Sequence, residues 1–426
     1  GVQTCALPIY NALYDKLNEA IANLSVPDQV IFEDLFFEGD ASDRINNWIK
    51  VANTLKIRMY VQSKLVGNAN ATSEINNIIA SGMYISDKSD DFQAKFGTNN
   101  ANPDVRHPDY LAGYVGGAGG TYMSNEFMNI LLNDKSIQDP RLRFYVYRQS
   151  LADPTGSLLP CDGNANYNFC YLERGYWGRD HADDEGIPND GNLRSTFGVY
   201  PAGGGFDDRN VGVITQNAII EYNGFTVIPV NPDTDLPYTE NEWVYQTLAT
   251  PIATANNPGL GGAGIYPMIL SSFTDFYLAE ASLPSPAGLG VSGSPITYLE
   301  NAIRKSFAKV YDFSGVAIDQ TAQTAIDTYV SEVLTVYGNA TTDQERLSVI
   351  MKEFYIASWG NSVESYNGYR RTGFPDLGGS VITNTDFPRN YLIPDSELNS
   401  NDNPNIEQIT RTTKVFWDTN PDDFIQ

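Results

Sequence analysis

Apolar residues recur at helical spacing toward both ends of this chain and lose that order in its middle. From Tyr10 to Leu24, the residues Tyr10, Leu13, Tyr14, Leu17, Ile21 and Leu24 fall on the i, i+3, i+4, i+7 positions of one buried stripe. Between Asp43 and Leu65, Ile45, Trp48, Ile49, Ala52, Leu55, Met59 and Tyr60 do the same, with Asn and Lys on the opposite face. In the C-terminal half, Ser294 and Pro295 read as N-cap and first-turn residues of a helix carrying Ile296, Leu299, Ile303, Phe307 and Val310. A second helix runs from Asp319 to Tyr337 on Ala322, Ile326, Tyr329, Val330 and Val333, with Gly338 as its stop. Thr342 and Glu345 form a capping-box pair opening a third, on Leu347, Ile350, Met351, Phe354 and Ala357, ended by Gly360. Short connections between successive helices predict antiparallel pairs stacked like tetratricopeptide units, although the period is irregular and the usual signature residues are absent.

From about Asp87 to Asn210 the chain is dense in Gly, Asn, Asp, Pro and aromatics, interrupted by one predicted helix around Ser124 to Leu132. Asn223-Gly224 between the apolar runs of Ile219 to Ile228 predicts a β-hairpin. The expected architecture is therefore mainly α: one domain with a helical scaffold at 10–86 and 270–375, and a loop-rich insertion at about 87–269 containing a short β-hairpin. An extended C-terminal segment, 376–426, completes it. Long loops on a rigid frame are where binding resides.

Charge narrows the partners. With 27 Lys+Arg against 52 Asp+Glu, the net charge of -25 leaves no basic patch to release counterions from a polyphosphate, so nucleic acid is not an expected partner. Anionic membrane surfaces are disfavoured for the same reason, and no apolar run reaches the ~18 residues of a membrane span. Charged residues are sparse at 19% and aromatics abundant at 12%, so the polar surface must be built from Asn, Ser, Thr, Gly and Tyr hydroxyls. Such a surface suits neutral, hydroxyl-rich ligands: rings stack on apolar sugar faces while amides and carboxylates meet the hydroxyls. Many of the Tyr rings are nonetheless expected to fill helix interfaces.

Catalytic signatures are scarce. The two histidines, His107 and His181, lie in polar loops, and the sequence has no G-x-S-x-G elbow, no H-E-x-x-H pair and no P-loop. The run from Gly178 to Gly191 packs Asp180, Asp183 and Asp184 into a segment dense in oxygen ligands. Ca²⁺ is an alternative there, but the spacing departs from an EF-hand, so a solvated turn with no metal or cofactor is the preferred reading. Cys161 and Cys170 close a short loop and are either a disulfide or two free thiols; they do not make a zinc site. The better binding candidate is the aromatic cluster of the insertion: Tyr167, Tyr176, Trp177, Tyr200 and Phe206, with Arg179 and Asp207 beside them. The competing reading is that these rings fill a local mini-core under the loop. Gly1 to Ile9 (GVQTCALPI) has neither a basic nor an apolar leader character and matches one frame of a common sequencing adaptor. It is expected to be non-native, with the domain truncated at its N-terminus.

WIKVANTLKIRMY (48–60), DPRL (139–142), RGYWGRDHADDEGIPNDG with FGVYPAGGGFDD (174–208), DFYLAEA (275–281), ESYNGYRRTGFP (364–375), FPRNYLIPDSELNSN (387–401) and KVFWD (414–418) resemble, in order, the SusD/RagB-like family. Physically these segments read as scaffold: Arg370 and Arg371 are expected to follow a helix and meet its last carbonyls, and Pro388, Pro394 and Glu397 to punctuate an extended segment. The resemblance implies an outer-membrane, cell-surface lipoprotein of Bacteroidetes-type bacteria, with its lipid anchor outside this chain. It also implies a SusC-like TonB-dependent transporter as partner and an oligosaccharide, or in some members a peptide, as ligand. Capture without catalysis is the leading expectation. A glycoside hydrolase and a helical-repeat scaffold for protein partners are the rivals.

Overall fold

The computed structural model describes residues 2–27, 31, 33–115, 122–149, 171–172, 174–180, 194–205, 207, 260–315, 317–377, 387–402 and 406–425, with the backbone of short strands between 211 and 245. Tyr167, Phe206, Asp183, Asp184, Cys161 and Cys170 lie outside the described residues. The N-terminal helices are α1 (Val2–Leu24), α2 (Ala41–Gln62) and α3 (Ala71–Ser81). Three short ones follow, α4 (Pro108–Tyr110), α5 (Asn125–Leu132) and α6 (Leu142–Tyr145). The C-terminal set is α7 (Ser271–Ser282), α8 (Pro295–Ser314), α9 (Gln320–Asn339), α10 (Asp343–Ala357), α11 (Ser362–Thr372) and α12 (Asp395–Ser400). All described strands pair antiparallel, two by two. Strand β1 (Phe92–Lys95) pairs with the last strand, β10 (Ile265–Ile269), and β2 (Val146–Tyr147) with β3 (Thr196–Phe197). Between them, β4 (Val211–Val213) pairs with β9 (Trp243–Tyr245), β5 (Ile220–Tyr222) with β6 (Phe225–Val227), and β7 (Val230–Asn231) with β8 (Leu236–Pro237).

The mainly helical architecture is the one the periodicity predicts, and β5 and β6, which flank Asn223-Gly224 in the sequence, pair antiparallel with Tyr222 opposite Phe225. Three boundaries differ. Helix α1 begins at Val2, ahead of Tyr10, and carries Pro8 within it. Helix α9 runs through Gly338 and ends at Asn339, because a single glycine costs a helix only ~1 kcal/mol and the packed face outweighs it. Asp395–Ser400 forms α12 with Pro394 at its N-cap, where an extended segment was expected. The capping box of α10 is present: Glu345 N donates to the Thr342 hydroxyl (3.2 Å) and Thr342 N to the Glu345 carboxylate (2.9 Å).

Helix α7 is the hub. All twelve of its residues are buried, and it packs against α2, α8 and α10. Its polar side chains are tolerable inside because each charge finds a partner. Glu280 accepts two bonds from Arg371 of α11 (2.8 and 2.7 Å) and lies 2.9 Å from Lys64, just after α2. Burial opposes the Glu280 charge, but Arg371 and Lys64 outweigh it and hold the carboxyl at about 2. Asp275 pairs with Lys305 of α8 at 2.5 Å.

A second buried knot uses the DPRL segment. Arg141 forks onto Asp139 (3.0 and 2.7 Å) and reaches Glu353 of α10 (2.8 Å), which also accepts from the Tyr329 hydroxyl (2.7 Å). At the C-terminus, Arg389 pairs with Asp418, and Arg370 donates to the Arg389 carbonyl (2.6 Å). Arg370 and Arg371 lie inside the last turn of α11 rather than after it, and both reach across to other segments instead of capping their own helix.

Candidate functional site

A cleft of about 640 Å³ opens where the α10–α11 turn meets β10, the start of α5 and the segment 197–202. Its shape follows from three local features. Alternation along β10 buries Ile265 and Ile269 and leaves Tyr266 outward, 45% exposed. Asn361 caps α11 by accepting from Glu364 N (3.2 Å) and donates to the carbonyls of Pro267 (2.9 Å) and Met268 (3.2 Å), which clamps the turn to the strand. Gly360 sits in that turn at φ +91°, and a Cβ there would stand 2.3 Å from Pro201 Cγ, so only glycine allows the close approach.

Rings line most of the cleft. Trp359 stacks on Phe127 (5.0 Å, 18°) and lies 6.0 Å from both Phe197 and Tyr145. Its indole Nε1 is buried without a hydrogen-bond partner. Tyr355, Tyr122 and Tyr266 complete the aromatic lining, and Ser124, Ser358, Ser362 and Ser365 supply hydroxyls. Ser358 and Ser365 are hydrogen-bonded to each other at 2.8 Å. Asp109 is the single carboxylate among the described lining residues. It follows His107, whose Nδ1 accepts from Asp109 N (3.1 Å) and whose pKa burial lowers. Behind the rings, burial pushes the Glu126 carboxyl up to about 7, helped by the charges of Asp134, Asp180 and Asp376. Neutral rings with hydroxyls, one carboxylate and no described cation can stack on and hydrogen-bond an uncharged, hydroxylated ligand. They present no pair of acids across a bond to be cleaved.

The insertion residues occupy the wall behind this cleft. Tyr176, Trp177 and Tyr200 are candidates either for binding or for a local mini-core under the loop, and at 4%, 3% and 2% exposed they are buried as the mini-core reading has it. The reason is local packing. Asn125, at the start of α5, donates to Asp180 (3.0 Å) and accepts from Gly178 N (2.8 Å), and Arg179 N donates to the Met123 carbonyl (2.9 Å), so 176–180 is bound against α5. Asp207 is likewise buried, forked by Arg148 (2.7 and 3.3 Å), whose guanidinium lies 4.6 Å from the centre of the Tyr176 ring. Asp180, offered above as a Ca²⁺ ligand, is buried on Asn125; no group of three metal-ligating side chains occurs among the described residues. Half-buried Arg179 does touch the cleft at one remove: its guanidinium lies 5.4 Å from the centre of the Tyr122 ring. Arg194 contacts both Tyr122 (5.0 Å) and Trp177 (4.1 Å), so Trp177 backs the cleft lining without joining it.

Sequence reasoning missed Trp359, Tyr355, Tyr266 and Tyr122. One signal was available. Trp359 falls off the stripe of Leu347, Ile350, Met351, Phe354 and Ala357, just past the end of α10 and next to Gly360, and a large ring off the buried face needs another place to go.

No helix among the described residues is long and apolar enough to cross a membrane. No curated protein matches the sequence. Two family models do: one described as starch-binding and associating with the outer membrane, over residues 6–159, and one described as SusD and RagB outer membrane lipoprotein, over 265–414. Among solved structures, a SusD-like protein of Bacteroidetes superposes with a TM-score of 0.60 at 16% identity, covering 97% of this chain and 77% of that one. A chitin-binding SusD homologue from Flavobacterium johnsoniae gives 0.58 at 16%, with 97% and 73% covered. A SusD homologue from Bacteroides fragilis gives 0.55 at 19%, with 92% and 69% covered. The order of motifs, the helical scaffold and these matches agree, and the chain belongs to the SusD/RagB-like family of outer-membrane nutrient-binding lipoproteins.

Proposed function

We propose that this protein captures neutral oligosaccharides in the Trp359–Tyr266 cleft, without cleaving them, for delivery to a TonB-dependent transporter of the outer membrane. The observation that carries the reading is the lining itself, in which aromatic rings and serine hydroxyls face one space with a single described carboxylate. Stacking contributes roughly 1 kcal/mol per ring beyond area burial, so affinity is modest and removing one ring weakens it about fivefold. The family's descriptions as starch-binding and the chitin-binding relative supply the first ligands to try.

Affinity electrophoresis against starch, chitin fragments and a panel of plant and host glycans tests it. Retention is expected on at least one neutral glycan and is weakened about fivefold in Trp359→Ala and in Tyr266→Ala. Retention unchanged in both variants overturns the site. Binding to peptides with no glycan retained supports the peptide-capturing alternative, and release of reducing sugar supports a hydrolase.

A further inference from the structure

A second cleft, of about 700 Å³, shares no lining residue with the first. It is built from the segment 36–38, the first turns of α2, the turn at 88–91 and strand β1. The β1–β10 ribbon is common to both clefts. Tyr266 is opposite Ala94 in the ladder, so its neighbours Gln93 and Lys95 point to the other face of the ribbon. One cleft therefore takes Tyr266 and the other takes Gln93 and Lys95. The register slips between Phe92 and Gln93, a bulge of the kind that re-aims a side chain.

Gln93 is only 8% exposed, lines this second cleft, and its Oε1 has no hydrogen-bond partner. A buried amide left unsatisfied costs stability unless something fills the need. Asn46 and Asn47 present further amides to the same space from the α2 surface, and half-buried Phe36 adds an aromatic ring. The three lysines lining this site are already used: Lys50 holds Asp90 at 2.6 Å, Lys95 holds Glu38 at 3.4 Å and Lys88 holds Asp312 at 2.5 Å. An anionic ligand would have to break those pairs, whereas a neutral one would not. A hydroxyl both donates and accepts, so it satisfies an amide in either orientation.

We propose that this cleft is a second binding site for a neutral, polyhydroxylated ligand, a saccharide unit held by Gln93, Asn46 and Asn47 against Phe36. The two sites lie on opposite faces of one ribbon, so a single chain binds two saccharide segments independently.

Equilibrium dialysis of the full chain with maltoheptaose and with chitohexaose tests this. Two sites per chain are expected for at least one probe. Trp359→Ala weakens one site about fivefold, and Gln93→Leu weakens the other by about tenfold, the worth of one buried hydrogen bond. Gln93→Leu also removes an unsatisfied buried acceptor, so its melting temperature is expected to hold or rise, which separates lost binding from misfolding. Asn47→Ala, on the helix surface, is the second variant and weakens the same site. A single site weakened by Trp359→Ala and untouched by Gln93→Leu and Asn47→Ala overturns this inference and leaves the first cleft standing. A single site weakened by Gln93→Leu and Asn47→Ala and untouched by Trp359→Ala does the reverse. No binding of either probe overturns this second site.

Discussion

Replacing Arg371 with methionine tests the view that buried ion pairs hold the scaffold together. Arg371 gives Glu280 two bonds at 2.8 and 2.7 Å, and after its removal only Lys64, at 2.9 Å, still faces that fully buried carboxylate. Removing one partner of a buried pair costs ~3–5 kcal/mol, and the surviving lysine places the cost near the lower end. A second route gives a similar figure. Glu280 sits at about 2 in the fold against an ordinary 4.5, which at 1.36 kcal/mol per pH unit is ~3 kcal/mol shared between its two cations. The sign follows from proton counting. The unfolded chain binds the extra proton first, so the stabilisation is complete above pH 4.5 and is lost as pH falls toward 2. Urea unfolding at pH 7, followed by near-ultraviolet circular dichroism, should therefore show the midpoint of Arg371→Met about 1 M below wild type at a slope of ~3 kcal/mol/M. The gap should narrow at pH 3. An unchanged midpoint at pH 7, or a gap that does not depend on pH, would refute the argument.

Glu126 works in the opposite direction: burial raises its carboxyl to about 7 from 4.5, so the folded protein loses stability as pH rises across that window. Because the group is only half-buried, screening reduces the effect to ~1–2 kcal/mol, and Glu126→Gln should raise the thermal midpoint at pH 8 while leaving it unchanged at pH 4. Gly360→Ala places a Cβ 2.3 Å from Pro201 Cγ at φ +91°; a loss of ~2–3 kcal/mol and weakened glycan retention are expected, measured by urea titration and affinity electrophoresis. Thr342→Ala removes the cap of α10 and should cost ~1 kcal/mol with no change in ligand binding.

The helices that could be read from sequence are those with one face in water. Helices α8, α9 and α10 each combine a stripe of buried residues with an exposed side, and their caps at Asp319 and Thr342 sit where residue chemistry places them. Helix α7 has no such contrast, since polar Ser271, Thr274, Asp275 and Glu280 are as deeply buried as Phe273 and Leu278, so periodicity carries no signal and only the family motif marked it. The site was less legible for a related reason. Composition pointed to rings with hydroxyls, but which rings face water is decided by contacts between distant segments. Trp177 is covered by Arg194 and bound against α5, while Tyr266 is turned outward by pairing with a strand far earlier in the chain. The motif arginines were legible as scaffold, but their partners Glu280 and Asp418 were not, because ion pairing across long separations leaves no spacing to read.

The central position of α7 also sets a schedule for how the chain can be made. Helix α2 leaves the ribosome long before α7, yet one of its faces is completed only by packing against α7. Helix α2 must therefore wait with its α7-facing surface uncovered while the insertion is synthesised, and long-range closure of this kind is slow. From α7 onward, each helix emerges just ahead of a neighbour it packs against: α8 after α7, α9 after α8, α10 after α9. The C-terminal half can thus assemble as it appears and offer a finished surface to the segments that came first. A chaperone would find its longest engagement with α2, whose packing partner is made so much later.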